Sequence, residues 1–161
     1  MIINGHTVLL NKSDYKRFLG WKWHIHTTGL KLYVRGYPAG RRKQGLCYMH
    51  RVIMNALPGQ EIDHRNGKGL DNRRRNLRFC SRSQNVANRY ALQARTSQSK
   101  GVYFDSWTRN HIKKWRAEIS KDGIKYRLGR FASEAEAAMA YDKKARELFP
   151  DFGHGYTTSS T

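Results

Sequence analysis

The sequence predicts an α+β chain of short antiparallel strands and a few helices. Three observations predict it. Several short runs alternate apolar and polar residues. Turn residues separate them, as in Thr27-Thr28-Gly29 and Lys121-Asp122-Gly123. Two capping signatures, Ser81-Arg82-Ser83-Gln84 and Ser133-Glu134-Ala135-Glu136, each precede a stretch with helical spacing.

Taken in order, residues 1–45 form a β-rich segment. Thr7-Val8-Leu9-Leu10 reads as a strand, and Ser13-Asp14 caps a short helix that Gly20 stops. Trp21 to His26 and Leu30 to Arg35 alternate as two strands joined by a hairpin at Thr27-Thr28-Gly29. Residues 46–92 open on Tyr48 to Met54, where positions 49, 52 and 53 have helical spacing before Pro58-Gly59. Glu61 to His64 and Asn76 to Cys80 are short strands around the turn-rich Asn66-Gly67-Lys68-Gly69, and a helix from Ser81 toward Leu92 completes a ββα unit. Residues 93–98 read as a polar linker. In residues 99–150, Val102 to Phe104, Trp115 to Ser120 and Ile124 to Phe131 make three strands. Val102, Phe104, Trp115, Ala117 and Ile119 are expected to face the helix behind, whose stripe is Ala138, Tyr141, Ala145 and Leu148. Residues 151–161 read as an irregular tail. The strands of residues 1–45 would pack on the ββα unit, because so small a unit has little core of its own.

The chain has 161 residues, with 31 Lys+Arg against 12 Asp+Glu and a formal net charge of +19. Such a balance draws polyanions, because each cation that replaces a condensed counterion releases salt. Hydrophobic residues at 39% argue against a disordered basic tail. No apolar run is long enough for a transmembrane helix, and no basic amphipathic helix points to a membrane surface. The start of the chain lacks a secretory pattern, and Cys47 and Cys80 form neither a disulfide framework nor a zinc motif. A reducing, cytoplasmic setting and no structural zinc are therefore expected. Charge is uneven: residues 1–45 hold nine basic residues and one acidic, whereas 133–149 hold three basic and four acidic.

Asp63-His64, Asn76 and Asn85 form the strongest polar cluster. Phosphodiester hydrolysis needs an activated water, charge neutralisation on the phosphate and help for the leaving oxygen. A neutral imidazole can take a proton near pH 7, and a carboxylate with an amide oxygen can hold a hard divalent cation. Adjacent strand residues point to opposite faces, so Asp63 and His64 share a site only where the strand ends or twists. His50 could touch phosphate, or it packs as a half-buried ring. His24 and His26 share a strand face but have no third metal ligand near them in sequence. Cys80 reads as a small buried hydrophobe.

Tyr48-Met49-His50-Arg51, Ile62-Asp63-His64-Arg65-Asn66-Gly67, Asp71-Asn72-Arg73, Asn76-Leu77-Arg78 and Ser83-Gln84-Asn85 resemble the HNH nucleases of the phage and intron homing type. The resemblance implies a ββα-metal site, with His64 as general base, Asp63 and Asn85 as ligands of one divalent ion, magnesium or manganese, and Asn76 bracing the loop behind His64. Arg51, Arg65, Arg78 and Arg89 would contact phosphate; for each, a solvated charge is the plain alternative. Double-stranded DNA is the implied partner, with no membrane and no small-molecule cofactor, in a prokaryotic or phage-infected cell.

Lys100-Gly101-Val102-Tyr103, Trp115 to Ile119, Leu128-Gly129-Arg130-Phe131 and Glu136 to Asp142 resemble the AP2 DNA-binding domain. That family lays a three-stranded sheet in the major groove. The alternation independently turns Tyr103, Arg116, Glu118, Lys125 and Arg127 outward. Carried over, the DNA contacts are Lys100, Tyr103, Trp107, Lys114, Arg116, Glu118, Lys125 and Arg127. Tyr103 and Asp105 stand where that family often has arginines, and the loop 108–113 is longer, so base preference does not transfer. The sequence thus implies a site-preferring DNA endonuclease. A DNA-binding regulator with a degenerate nuclease unit and a structural RNA binder are the competing readings. Recognition sequence, oligomeric state and nicking against double-strand cleavage are not encoded legibly.

Overall fold

Turn chemistry and strand alternation set most of the architecture of the computed structural model, which describes residues 1–88, 97, 99–106 and 112–152. The fold is mixed α+β, with several small antiparallel sheets and four short-to-medium helices among the described residues. Two units emerge, Met1–Ser81 and Arg82–Thr161. No helix among the described residues is long and apolar enough to cross a membrane.

In the first unit, β1 (Ile2–Ile3) and β2 (His6–Thr7) pair around Asn4 and Gly5, both at positive φ. This differs from the expected strand over Thr7 to Leu10. After the hairpin, Leu9 leaves to bridge the distant loop: its N–H donates to Leu70 O at 3.0 Å, and its carbonyl accepts from Asn72 N at 2.9 Å. Helix α1 (Lys12–Arg17) starts after Asn11, not at a Ser13-Asp14 cap. Asp14 lies buried inside its first turn, where Arg74 grips both carboxylate oxygens at 2.7 and 2.9 Å.

Strands β3 (Trp21–Thr28) and β4 (Lys31–Pro38) form an eight-residue ribbon, extended by β5 (Cys47–Tyr48) in the order β3-β4-β5. The hairpin turn is Gly29-Leu30, with Thr28 paired to Lys31, rather than Thr27-Thr28-Gly29. The β-branched threonines stay in the strand, while Gly29 supplies the positive φ that a two-residue turn requires. Leu30, expected to begin the second strand, is exposed at the tip. Trp23 and Val34 point into the core, where Phe18 meets Trp21 and Trp23 edge-on at 5.5 and 5.0 Å. Met49 and Ile53 of α2 (Met49–Ile53) join them, as do Ile62 of β6 (Glu61–His64) and Leu77 of β7 (Leu77–Cys80). The short antiparallel pair β6-β7 therefore shares the core of the β3-β4-β5 sheet.

In the second unit, α3 is described over Arg82–Ala87; the expected continuation toward Leu92 lies outside the described residues, as does most of the linker. Strands β8 (Val102–Phe104), β9 (Trp115–Lys121) and β10 (Ile124–Phe131) form an antiparallel sheet in the order β10-β9-β8. Asp122 and Gly123, both at positive φ, turn β9 into β10. Helix α4 (Glu134–Leu148) is capped by the Ser133 hydroxyl, which accepts from Glu136 N at 3.2 Å. Ala137, Ala138, Tyr141 and Ala145 of α4 are buried, as are Val102, Ala117 and Ile119 of the sheet. Phe104 does not join that buried face; it is 38% exposed and stands edge-on to Trp115 at 5.0 Å. Tyr126, cross-strand from Ile119, takes a place on the helix side with the Lys144 ammonium 5.3 Å from its ring.

Gly101 sits at φ +67, and a Cβ there would collide with the Tyr141 ring and the Glu118 carbonyl. Gly101→Ala should therefore destabilise the second unit by about 2–4 kcal/mol, combining a left-handed backbone penalty with overpacking. Denaturant unfolding checks this, and a loss under 0.5 kcal/mol, the ordinary surface range, would contradict it.

Candidate active site

The β6-β7 register sets the site. Asp63 lies opposite Arg78, and His64 opposite Leu77. By alternation Asp63 and Arg78 share one face of the ribbon, while Ile62, His64 and Leu77 share the other. Arg78 donates through Nε to Asp63 Oδ2 at 2.8 Å, and its Nη2 stands 2.7 Å from the same oxygen. Both side chains are buried, so neither charge is tolerable there without the other.

The strand ends at His64. Arg65 N donates to Asn76 O, and Gly67 N to His64 O, each at 2.8 Å. The Asn76 amide spans the loop so formed: Oδ1 accepts from Asn66 N at 3.1 Å and Nδ2 donates to Asp71 O at 2.7 Å. Asn66 Nδ2 donates to Asp71 Oδ2 at 2.9 Å, and Arg73 clasps both oxygens of Asp71 at 2.8 and 2.6 Å. Arg73 thereby holds the Asp71 carboxyl below its usual value. Asn72 is fully buried and donates to Gly69 O at 3.2 Å. Residues 65–76 are thus a cross-braced turn, not a loose connection.

His64 is buried among rings. His50 meets it edge-on at 5.0 Å, Tyr33 lies 6.0 Å away, and Tyr48 stacks on His50 at 5.4 Å. Burial pushes the His64 imidazole below its ordinary value; a hydrogen bond with Asn72 and the fields of Asp63 and Asp71 oppose that, while Lys31 adds to it. Burial, then His64 and Arg51, push His50 down to about 3. Burial therefore disfavours the charged form of both rings. A neutral imidazole beside carboxylates and amides can accept a proton.

The other residues singled out by sequence fall variously. Asn85 is half-buried on α3, in the second unit. Arg51 donates to Gln60 O at 2.5 Å and Leu57 O at 2.8 Å, tying the turn after α2. Arg65 is exposed. Lys100 donates to Val86 O and Ala87 O, both at 2.6 Å, closing the end of α3. Tyr103 and Arg116 stand side by side with the guanidinium 5.4 Å from the ring, and Glu118 lies 3.4 Å from Arg116 and 3.5 Å from Lys125. Lys125 and Arg127 are exposed, and Lys114 is half-buried. Arg89 and Trp107 lie outside the described residues. His26 Nε2 is 3.5 Å from Arg35 Nη1, and among the described residues no three His, Cys, Asp or Glu side chains cluster as a metal-binding group. Cys80 is only half-buried, with its thiol pushed up to about 12 by burial and then by Asp63 and Glu61.

Sequence reading assigned no part to Tyr33, Lys31 or Asn72. Asn72 lies within Asp71-Asn72-Arg73. Tyr33 and Lys31 reach His64 only through the tertiary fold.

His64 is thus a buried strand-end imidazole on a braced turn, and the Asp63 carboxylate one residue before it lies on the opposite face of the ribbon, paired with Arg78. Over 133 residues the chain is 27% identical to an uncharacterized HNH endonuclease of Acanthamoeba polyphaga mimivirus, a match covering 82% of this chain and 65% of that protein. The chain thus spans less than two thirds of that relative. No family model and no solved structure matches.

The two depressed imidazoles make stability pH-dependent. Between about 3 and the ordinary value of 6.5, the unfolded chain binds a proton at His50 that the folded chain refuses. Stability then falls as pH drops through that window. His50→Phe should keep the ring stacking and flatten the fall by roughly 1 kcal/mol per pH unit between about pH 6 and 4. Chemical denaturation at several pH values measures it; an unchanged slope would contradict the assignment.

Proposed function

We propose that this chain is a metal-dependent DNA endonuclease of the HNH type, with DNA recognition by its AP2-like β8-β9-β10 sheet and helix. The observation that carries the reading is His64, a buried imidazole held at the end of β6 by the Asn76-braced turn. The distant relative's name supports the same chemistry.

In this reading His64 takes a proton from water as the water attacks phosphorus, and Asn76 keeps the turn, and with it the ring, in place. His50 and Tyr33 wall the imidazole and keep it neutral. Asp63 and Asn85 would hold the ion, offering one carboxylate and one amide oxygen. Such hard donors suit magnesium, or manganese, with waters and phosphate completing its shell. The fit is a sparse one, because Arg78 already occupies Asp63 Oδ2. The ion would supply charge neutralisation on the phosphate and on the departing oxygen.

The outward residues of the second unit supply duplex binding. Arg116 and Arg127 suit guanine edges or phosphates, Glu118 suits cytosine, and Lys100, Tyr103, Lys114 and Lys125, with Trp107, would complete the contacts. Arg51, Arg65 and Arg89 would meet phosphate beside the nuclease site. The bonds that Arg51 and Lys100 make within the protein reduce what each has left for DNA. A second reading, a DNA-binding regulator with a degenerate nuclease, draws on the Asp63–Arg78 pair, which neutralises the carboxylate meant for an ion.

Plasmid incubated with magnesium separates the two. The nuclease reading expects nicked or linear DNA, and a loss of 10²-fold or more in rate on His64→Ala, with duplex binding retained. Equal cleavage by His64→Ala would remove the base assignment, and no cleavage by the wild type under any divalent ion would favour the regulator. Arg116→Ala and Arg127→Ala should each weaken duplex binding by about 1–3 kcal/mol if they touch bases. Fluorescence anisotropy reads this, and unchanged affinity in both would remove the sheet from the interface.

A further inference from the structure

The DNA reading uses the outward side chains of the second unit's sheet. It gives no part to the backbone edge of β10 or to the groove behind that edge. The strand order is β10-β9-β8, so β10 is a terminal strand, and among the described residues no strand lies on its outer side. The two-residue turn Asp122-Gly123, with both residues at positive φ, makes Lys121 and Ile124 a hydrogen-bonded pair. Alternation from there, through Tyr126 opposite Ile119, turns the backbone N–H and C=O of Lys125 and Arg127 away from β9. Such a row of backbone groups is a template for another strand.

Behind the edge, β10 and α4 border a groove of about 570 Å³. Its wall on α4 is Ala140, Lys143, Lys144 and Glu147, spaced i, i+3, i+4 and i+7 along one helix face. Tyr126 and Leu128 line the β10 side. The register shifts between Arg127 and Gly129, which leaves Leu128 without a cross-strand partner and half-exposed. The Lys144 ammonium donates to Glu147 Oε2 at 3.0 Å and lies 5.3 Å from the Tyr126 ring. Lys143 at the groove and Lys125 and Arg127 on the strand are exposed.

Hydrogen-bond pattern and charge together choose the occupant. A strand edge offers donors and acceptors in alternation. An extended peptide matches both, whereas phosphate oxygens only accept. The groove lining sets Arg127, Lys143 and Lys144 against Glu147, which Lys144 already pairs. Unmatched cations of this kind select carboxylates on the incoming strand. A second copy of β10 would instead place Lys125, Arg127 and Arg130 against like charges, which disfavours self-pairing. Side chains of an added strand alternate between the groove and the face of Lys125 and Arg127. The matching pattern is therefore apolar residues alternating with acidic ones.

We propose that the β10 edge and the β10-α4 groove dock an extended acidic peptide segment of a partner protein, which adds to the sheet as a further strand. Its apolar side chains enter the groove against Tyr126, Leu128 and Ala140. Its carboxylates meet Lys125 and Arg127 on one face and Lys143 at the groove mouth. The proposal stands whether or not the chain cleaves DNA.

The experiment titrates the full chain, without DNA, into a labelled peptide of alternating glutamate and valine and reads fluorescence anisotropy. Binding is expected, with slowed amide exchange at Lys125 and Arg127. N-methylating either the glutamate or the valine amides blocks one or the other edge of the peptide, and the series facing β10 should lose binding by about tenfold or more. Retained binding in both series overturns the proposal, as does equal binding of a lysine-valine peptide. Lys143→Glu, at an exposed position, should weaken peptide binding roughly fivefold, whereas Lys12→Glu in α1 should change it by less than about twofold. Equal losses in these two variants overturn the docking site. A Lys143→Glu effect on duplex DNA binding alone, with the peptide unmoved, overturns it too and gives the groove to phosphate. Cleavage by His64→Ala tests the nuclease separately, so either reading can fail without the other.

Discussion

Burial of one imidazole is the constraint on which the first unit depends. His64 ends a four-residue strand and is surrounded by His50, Tyr33 and Asn72. Water is kept from most of its surface, so the charged form is disfavoured and the ring stays available as a base. That burial requires the turn 65–76 to lie close against β4. Gly69 makes the approach: a Cβ there would strike the Leu32 carbonyl and the Tyr33 ring. The turn is in turn anchored by Leu9 and Arg74, which tie it to residues before β3. The N-terminal strands are therefore part of the site's construction.

Electrostatics follow a consistent division in this unit. Asp14, Asp63 and Asp71 are buried, and each is gripped by an arginine: Arg74, Arg78 and Arg73 respectively. Buried carboxylates paired in this way hold the turn and strands together, and breaking such a pair costs more than an exposed one. Pairing them inside leaves the remaining lysines and arginines to dominate the surface. Such a surface attracts polyanions.

Much of this could be read from the sequence because local rules acted unopposed. The alternation over Trp21 to Arg35, the Asp122-Gly123 turn, the strands Glu61 to His64 and Leu77 to Cys80, and the Ser133 cap all form as their residue patterns require. Failures occurred where a distant partner decided. Leu9 bonds to the turn near Leu70 and Asn72 instead of continuing a strand. Asp14, read as a cap, is taken inward by Arg74. Phe104, at the end of β8 beside Trp115, stays 38% exposed. The motif around His64 was legible as a list of residue types, but its walls were not: Tyr33 and Lys31 meet it from a strand that no local pattern connects to it. The buried Arg78 likewise read as a surface cation, because its partner is named only by the cross-strand register.

The central claim is that His64 is a neutral, shielded base at working pH. Following the imidazole resonances of the full chain by NMR, with the His64 signal assigned by its loss in His64→Gln, tests it directly. The account predicts a titration midpoint below the ordinary histidine value of about 6.5 and a neutral ring at pH 7. A midpoint above that value, or a ring that is charged at pH 7, would contradict it.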